Sequence, residues 1–166
     1  MFRRVDDFLK AWEHERASTL KVLAVLTDAS LAQAVTSEGR TLGRLAWHLA
    51  TTPAEMMERT GLKVGGPSHE SPPPKASAAI LATYEAASKA VADGVAEWTD
   101  ATLAVQDEMY GEKWARGQTL QALIVHQAHH RGQMTVLMRQ AGLNVPGVYG
   151  PSREEWTAFG MQPPAV

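Results

Sequence analysis

The chain has 166 residues, enough for one domain with a core of its own over 1–166, and lacks cysteine, which excludes disulfides, thiolate metal sites and a cysteine nucleophile. Its formal net charge is −2 with both signs scattered along the chain, so no nucleic-acid partner is expected. No segment approaches the ~20 apolar residues that cross a bilayer, and Asp6 and Asp7 stand where a signal peptide would begin its apolar run, so no membrane partner and a cytoplasmic location are expected.

Apolar residues recur at helical spacing, and no sustained alternation suggests a core sheet. A first helix is predicted over about 3–28, its stripe of Val5, Phe8, Leu9, Trp12, Leu20, Leu23 and Leu26 broken by Glu15 and Arg16. Such a break puts polar groups on or beside the inward face, although an exposed Glu15 pairing with helix neighbours is an equally simple reading. Thr41 is a plausible cap for a second helix carrying Leu42, Leu45, His48 and Leu49. Pro53 lies inside this pattern, so the spacing predicts either a kink after His48 or a break into two helices, because Thr52-Pro53-Ala54-Glu55 has capping-box form.

Residues 61–75 hold three glycines and four prolines and read as a long surface connection. A third, alanine-rich helix is predicted over about 76–98, and a short hairpin is a candidate within 99–118, where apolar residues alternate with Gly111 and Gly117. The fourth helix is expected over about 118–141, with Gly142 as its stop. The core then covers about 3–141, and 142–166 forms a mostly irregular tail with one helical turn opened by the capping-box pattern at Ser152.

Chemistry concentrates in histidines. On the fourth helix Leu123, His126, His130, Met134 and Leu137 alternate steps of three and four, which turns both imidazoles inward where apolar residues would otherwise stand. Residues four apart on a helix lie roughly 5–6 Å from each other at Cβ, close enough to share an ion. His129 is also one turn from His126 and competes with His130 as second ligand; His48, from the second helix, would supply a third. Three nitrogen ligands leave a divalent ion with open positions, as in catalytic rather than structural sites. Neutral imidazole is the ligand, so binding is expected to weaken below about pH 6.5. His14 and His69 read as solvated, Gln127 and Gln133 as substrate-orienting or bundle-edge residues, and Arg131 as a helix-surface or interface ion-pair residue.

The runs Gly43-Arg44-Leu45-Ala46-Trp47-His48-Leu49 and His126-Gln127-Ala128-His129-His130-Arg131-Gly132-Gln133, in this order and separation, resemble the DinB/YfiT-like family of bacterial metal-dependent enzymes. The resemblance extends over most of the chain, through Arg139 to Leu143 and the Val148-Tyr149-Gly150-Pro151 tail. It implies an all-α four-helix bundle with a long crossover between helices 2 and 3, and it makes His48, His126 and His130 the ligands of one divalent ion, zinc or nickel. It also implies a homodimer, an expectation to which the alanine-rich third helix adds, and transfer chemistry with a low-molecular-weight thiol cosubstrate and a small-molecule electrophile. A hydrolase using bound water and a non-catalytic metal-binding, stress-associated bundle are the rival readings. Glu15 is the candidate general base or partner of a ligand in the catalytic readings, and Glu15 or His129 would fill the fourth position in the non-catalytic one.

Overall fold

The computed structural model describes residues 1–165. Four long helices carry the fold: α1 (Val5–Leu23), α2 (Leu42–Glu58), α3 (Ser77–Ala96) and α4 (Arg116–Gln140). They pack in the order α1, α3, α2, α4 around a common core, so the predicted four-helix bundle forms and its two histidine-bearing helices, α2 and α4, are neighbours. The candidate hairpin is present as β1 (Gln106–Met109) and β2 (Glu112–Ala115), an antiparallel pair that leads into α4. Its two-residue tip, Tyr110-Gly111, has positive φ at both positions (55° and 87°), the backbone of a tight hairpin turn.

Two boundaries differ from expectation. α1 ends at Leu23 rather than near residue 28, because Thr27 and Ser30 hydrogen-bond each other's backbone N–H reciprocally and open a separate 3-10 turn over Asp28–Ala32. α2 runs unbroken through Pro53, so the two-helix alternative is wrong. Thr41 caps it as predicted, its hydroxyl accepting from the Arg44 amide at 3.1 Å. A helical proline deprives the carbonyl four residues earlier, here that of Leu49, of its N–H partner. Gln127 of α4 supplies a donor instead, its Nε2 reaching the Leu49 oxygen at 3.4 Å. In the tail, Ser152 opens a 3-10 turn over Arg153–Phe159, and the Glu155 carboxylate accepts from the Ser152 amide at 3.2 Å, as the capping-box pattern suggested.

The apolar core falls into two clusters. One holds Val22, Leu23, Leu45, Leu49, Ile80, Tyr84, Met134 and Leu137; the other holds Phe8, Trp12, Met57, Val91, Val95, Leu120 and Leu123. On every helix buried polar residues lie in sequence between the two sets: Glu15, Ser18 and Thr19 on α1, Thr51 and Thr52 on α2, Ser88 on α3, and Gln127, His130 and Arg131 on α4. A polar belt therefore crosses the bundle at mid-height. Burying such groups is unfavourable unless each finds a partner, and most do so across helices. The Trp12 indole N–H donates to the Ser88 carbonyl at 3.0 Å, Arg16 Nε to the Ser88 hydroxyl at 3.1 Å, and Arg131 Nη1 to the Thr19 hydroxyl at 2.8 Å.

Arg131 is 2% exposed, not a surface residue, and Glu15 is 5% exposed, which removes the reading of a solvated glutamate. The two form a buried ion pair, closed on its outer side by the tail: the Tyr149 hydroxyl donates to Glu15 Oε1 at 2.6 Å and accepts from Arg131 Nη2 at 2.6 Å. The break in the apolar stripe of α1 thus marks an ion pair inside the bundle.

Candidate metal centre

The belt ends on three imidazoles. His48 Nε2 and His130 Nε2 each lie 3.1 Å from His126 Nε2, and the three donor atoms fall within 4.8 Å of one another. Among the described residues no carboxylate or fourth histidine joins this cluster. His129 is exposed on α4 and stays outside it, so the histidine that the fold brings together with His48 and His126 is His130. Glu15 faces Arg131 and Tyr149, and neither it nor His129 occupies a fourth position beside the three nitrogens.

Proton bookkeeping tests whether these residues fit a cation. His130 Nδ1 is 2.7 Å from Gln133 Oε1, an acceptor, so its proton resides there and Nε2 presents a lone pair. His126 Nε2 then faces two imidazole nitrogens, and with neutral rings a single proton satisfies one contact and leaves the other as lone pair against lone pair. One cation at the point of convergence satisfies all three. Nitrogens bound to zinc at roughly 2.0–2.1 Å in tetrahedral geometry are about 3.3 Å apart, near the spacing found. The donor set, neutral nitrogen without sulfur, suits zinc and nickel alike.

Electrostatics keeps the donors neutral. Burial, reinforced by the neighbouring imidazoles, brings His48 down to about 4 and His126 to about 3 from the ordinary 6.5, and burial lowers His130 as well. Proton competition for a metal therefore sets in well below the pH 6.5 expected from an unperturbed histidine. In the metal-stripped protein the same shifts make a stability prediction. The unfolded chain takes up protons near pH 6.5 while folded His48 and His126 resist until about pH 4 and 3, so their contribution is full above 6.5 and is lost as pH falls through that window. Urea midpoints should drop on acidification, and His126→Phe should drop less steeply; equal slopes would contradict the assignment.

Two cavities reach the triad from different sides. One, of about 380 Å³, is walled by His48 and His126 with Thr52, Glu55, His69, Tyr110 and Trp114. The other, of about 580 Å³, is bordered by His130 with Arg40, Gln133, Val35, Val136 and Leu137. His69 is half-buried rather than solvated, because Arg44 Nη1 and Nη2 donate to the Ser71 and His69 carbonyls at 3.1 and 3.3 Å and fold the 61–75 connection against α2. Sequence reading gave Thr52 and Glu55 only as the two ends of a capping-box pattern, although they follow His48 by four and seven residues and so share its helix face. It also passed over Tyr110, whose hydroxyl donates to Glu55 Oε2 at 2.7 Å while Arg59 lies 4.6 Å from its ring centroid. Burial and the Glu55 hydrogen bond raise the Tyr110 phenol, so it stays protonated.

The profile of the DinB family matches residues 1–164. The chain belongs to the DinB family. Among DinB relatives it is 46% identical over 167 residues to a Bacillus subtilis (strain 168) protein described as the uncharacterized protein YrdA, the match covering 100% of both chains. A crystal structure of a DinB-like protein from Bacillus cereus ATCC 10987 superposes with a TM-score of 0.86 at 43% identity, covering 90% of this chain and 100% of that one. The DinB-like protein YjoA of Bacillus subtilis, 14% identical with a TM-score of 0.67 over 86% of this chain and 97% of its own, shares the fold. In this DinB chain the three histidines form a site able to hold a metal ion, and no helix among the described residues is long and apolar enough to cross a membrane.

Proposed function

We propose that this DinB protein is a metal-dependent thiol-S-transferase acting on small electrophiles, with His48, His126 and His130 as the ligands of one zinc or nickel ion. The observation that carries the reading is the pair of cavities on different sides of the triad, because a transfer between two substrates needs room for both. A bound ion with free positions supplies Lewis acidity, lowering the pKa of a thiol that binds beside it. The His130–Gln133 hydrogen bond holds the His130 ring in one tautomer with its Nε2 lone pair directed at the site. Tyr110, Trp114, Met56 and Ala122 give the smaller cavity an apolar wall against which an electrophile can pack. In the transfer, the sulfur electron pair forms the new S–C bond, and the leaving group departs with the pair of the bond that breaks and with the proton of the thiol.

The test is spectroscopic. Addition of low-molecular-weight thiols to cobalt-substituted protein should alter its visible d–d and charge-transfer bands for at least one thiol, and His48→Ala should abolish the change. Silence across the panel with the ion fully occupied would instead favour a hydrolase, tested next with small esters and amides, or a non-catalytic site.

A homodimer is part of the same proposal. The large residues of α3 turn into the chain's own core, so support comes from the outward face of α4, where Val125 and Val136, 57% and 53% exposed, lie three turns apart. Light scattering should give twice the chain mass; a single-chain particle at micromolar concentration would refute it.

A further inference from the structure

Pro53 and Gln127 form an interhelical lock beside the triad. Pro53 leaves the Leu49 carbonyl without its helical N–H, and the Gln127 side-chain amide, fully buried, donates to that oxygen. The orientation of the amide is imposed from behind. Arg131 can only donate, so the Thr19 hydroxyl accepts from it, and the single proton of that hydroxyl goes to Gln127 Oε1 at 3.3 Å. Gln127 Nε2 therefore faces Leu49. Glu15 anchors the other end, holding Arg131 through its carboxylate and accepting from Arg131 Nη1 on its backbone carbonyl at 3.3 Å. The polar chain Glu15–Arg131–Thr19–Gln127 thus ends on a vacancy in α2 that only proline creates.

Its position gives the lock a role. Leu49 follows His48 directly, and Gln127 follows His126 directly, so the bond spans the two helices at the level of the ligands they carry. We propose that Gln127 is a positioning residue for the metal centre, fixing the separation of His48 from His126 by bonding the carbonyl that Pro53 frees. The inference rests on the reading of the three histidines as a metal site. It treats Pro53 and Gln127 as a single device: with an N–H at position 53, Leu49 would close its own helical bond and Gln127 would have nothing to hold.

That coupling dictates the experiment, a double-variant cycle read by cobalt affinity and the visible spectrum of the cobalt-loaded full-length protein. Gln127→Leu should weaken cobalt binding by about 10-fold to 100-fold, the range for groups that orient ligands, and shift the d–d bands, with helical circular dichroism retained. Pro53→Ala alone should weaken binding and shift the bands in the same direction, because Leu49 then closes its own helical bond and Gln127 has nothing to hold. Pro53→Ala combined with Gln127→Leu should stay at the level of Gln127→Leu rather than lose affinity twice, since the two residues make one bond; a merely structural role for Gln127, that of satisfying a buried carbonyl, predicts instead recovery toward wild type in the double variant. Should Gln127→Leu alone fail to fold, the double variant, in which α2 satisfies Leu49 itself, decides: weakened affinity with shifted bands supports the lock, and the wild-type affinity and spectrum overturn it. Unaltered binding in Gln127→Leu, or recovery in the double variant, overturns the lock while leaving the metal site intact. A wild-type protein that binds no cobalt overturns both.

Discussion

Alanine at His126 should abolish stoichiometric binding of a divalent ion, whereas alanine at His129, one turn away on the same helix, should leave it unchanged. His126 is the centre of the triad: its Nε2 is the atom from which both other nitrogens are 3.1 Å distant. Without it, His48 and His130 remain as two ligands from different helices, and two ligands hold an ion far less tightly than three. The fall in affinity should exceed the ~100-fold seen when only a group touching a ligand is removed. Titration calorimetry and metal analysis of protein purified without a histidine tag check this. Retention by His126→Ala, or loss in His129→Ala, would mean that the nitrogens converge for another reason.

The second large effect concerns stability. Arg131→Met should destabilise the fold by about 3–5 kcal/mol, because it leaves the Glu15 carboxylate buried without its counter-charge, against the Tyr149 hydroxyl alone. Removing both charges, as Glu15→Leu with Arg131→Met, should cost much less than Arg131→Met alone, since no unpaired charge remains and the apolar replacements fill the volume. Urea unfolding of the two variants measures the difference. A single variant as stable as wild type would show that water reaches the pair and that its burial, 2% and 5% exposed, does not isolate it.

These residues also show what the sequence could and could not convey. The bundle was legible because apolar spacing is a local property: each helix declares its inward face without reference to the others. The His126–His130 pair was legible for the same reason, being four residues apart on one helix. His48 is different, since nothing local brings α2 to α4; its place on the α2 stripe made it a candidate third ligand, and the family resemblance joined it to the pair. Arg131 was misread as a surface residue because its partner, Glu15, lies on another helix; the clue was the break in the α1 stripe, which marked something buried without saying what answered it. Pro53 suggested a kink or a break, and the donor that meets the carbonyl it frees comes from α4, which no local pattern of α2 announces. His69 was misread because its burial depends on where a glycine- and proline-rich connection folds back, which composition does not specify.

The polar belt has a consequence for register. Two apolar helix faces tolerate sliding past each other by a turn, about 5.4 Å, because one leucine or methionine serves nearly as well as the next. Glu15, Thr19, Gln127 and Arg131 do not interchange in this way, and a one-turn slip of α4 along α1 would leave a carboxylate, a guanidinium and the Leu49 carbonyl all buried without partners. The belt acts as an index mark that permits a single alignment of the helices. The variant with both charges replaced by apolar side chains is thus expected to keep most of its stability and lose part of that alignment, and with it the coincidence of three imidazoles on one point.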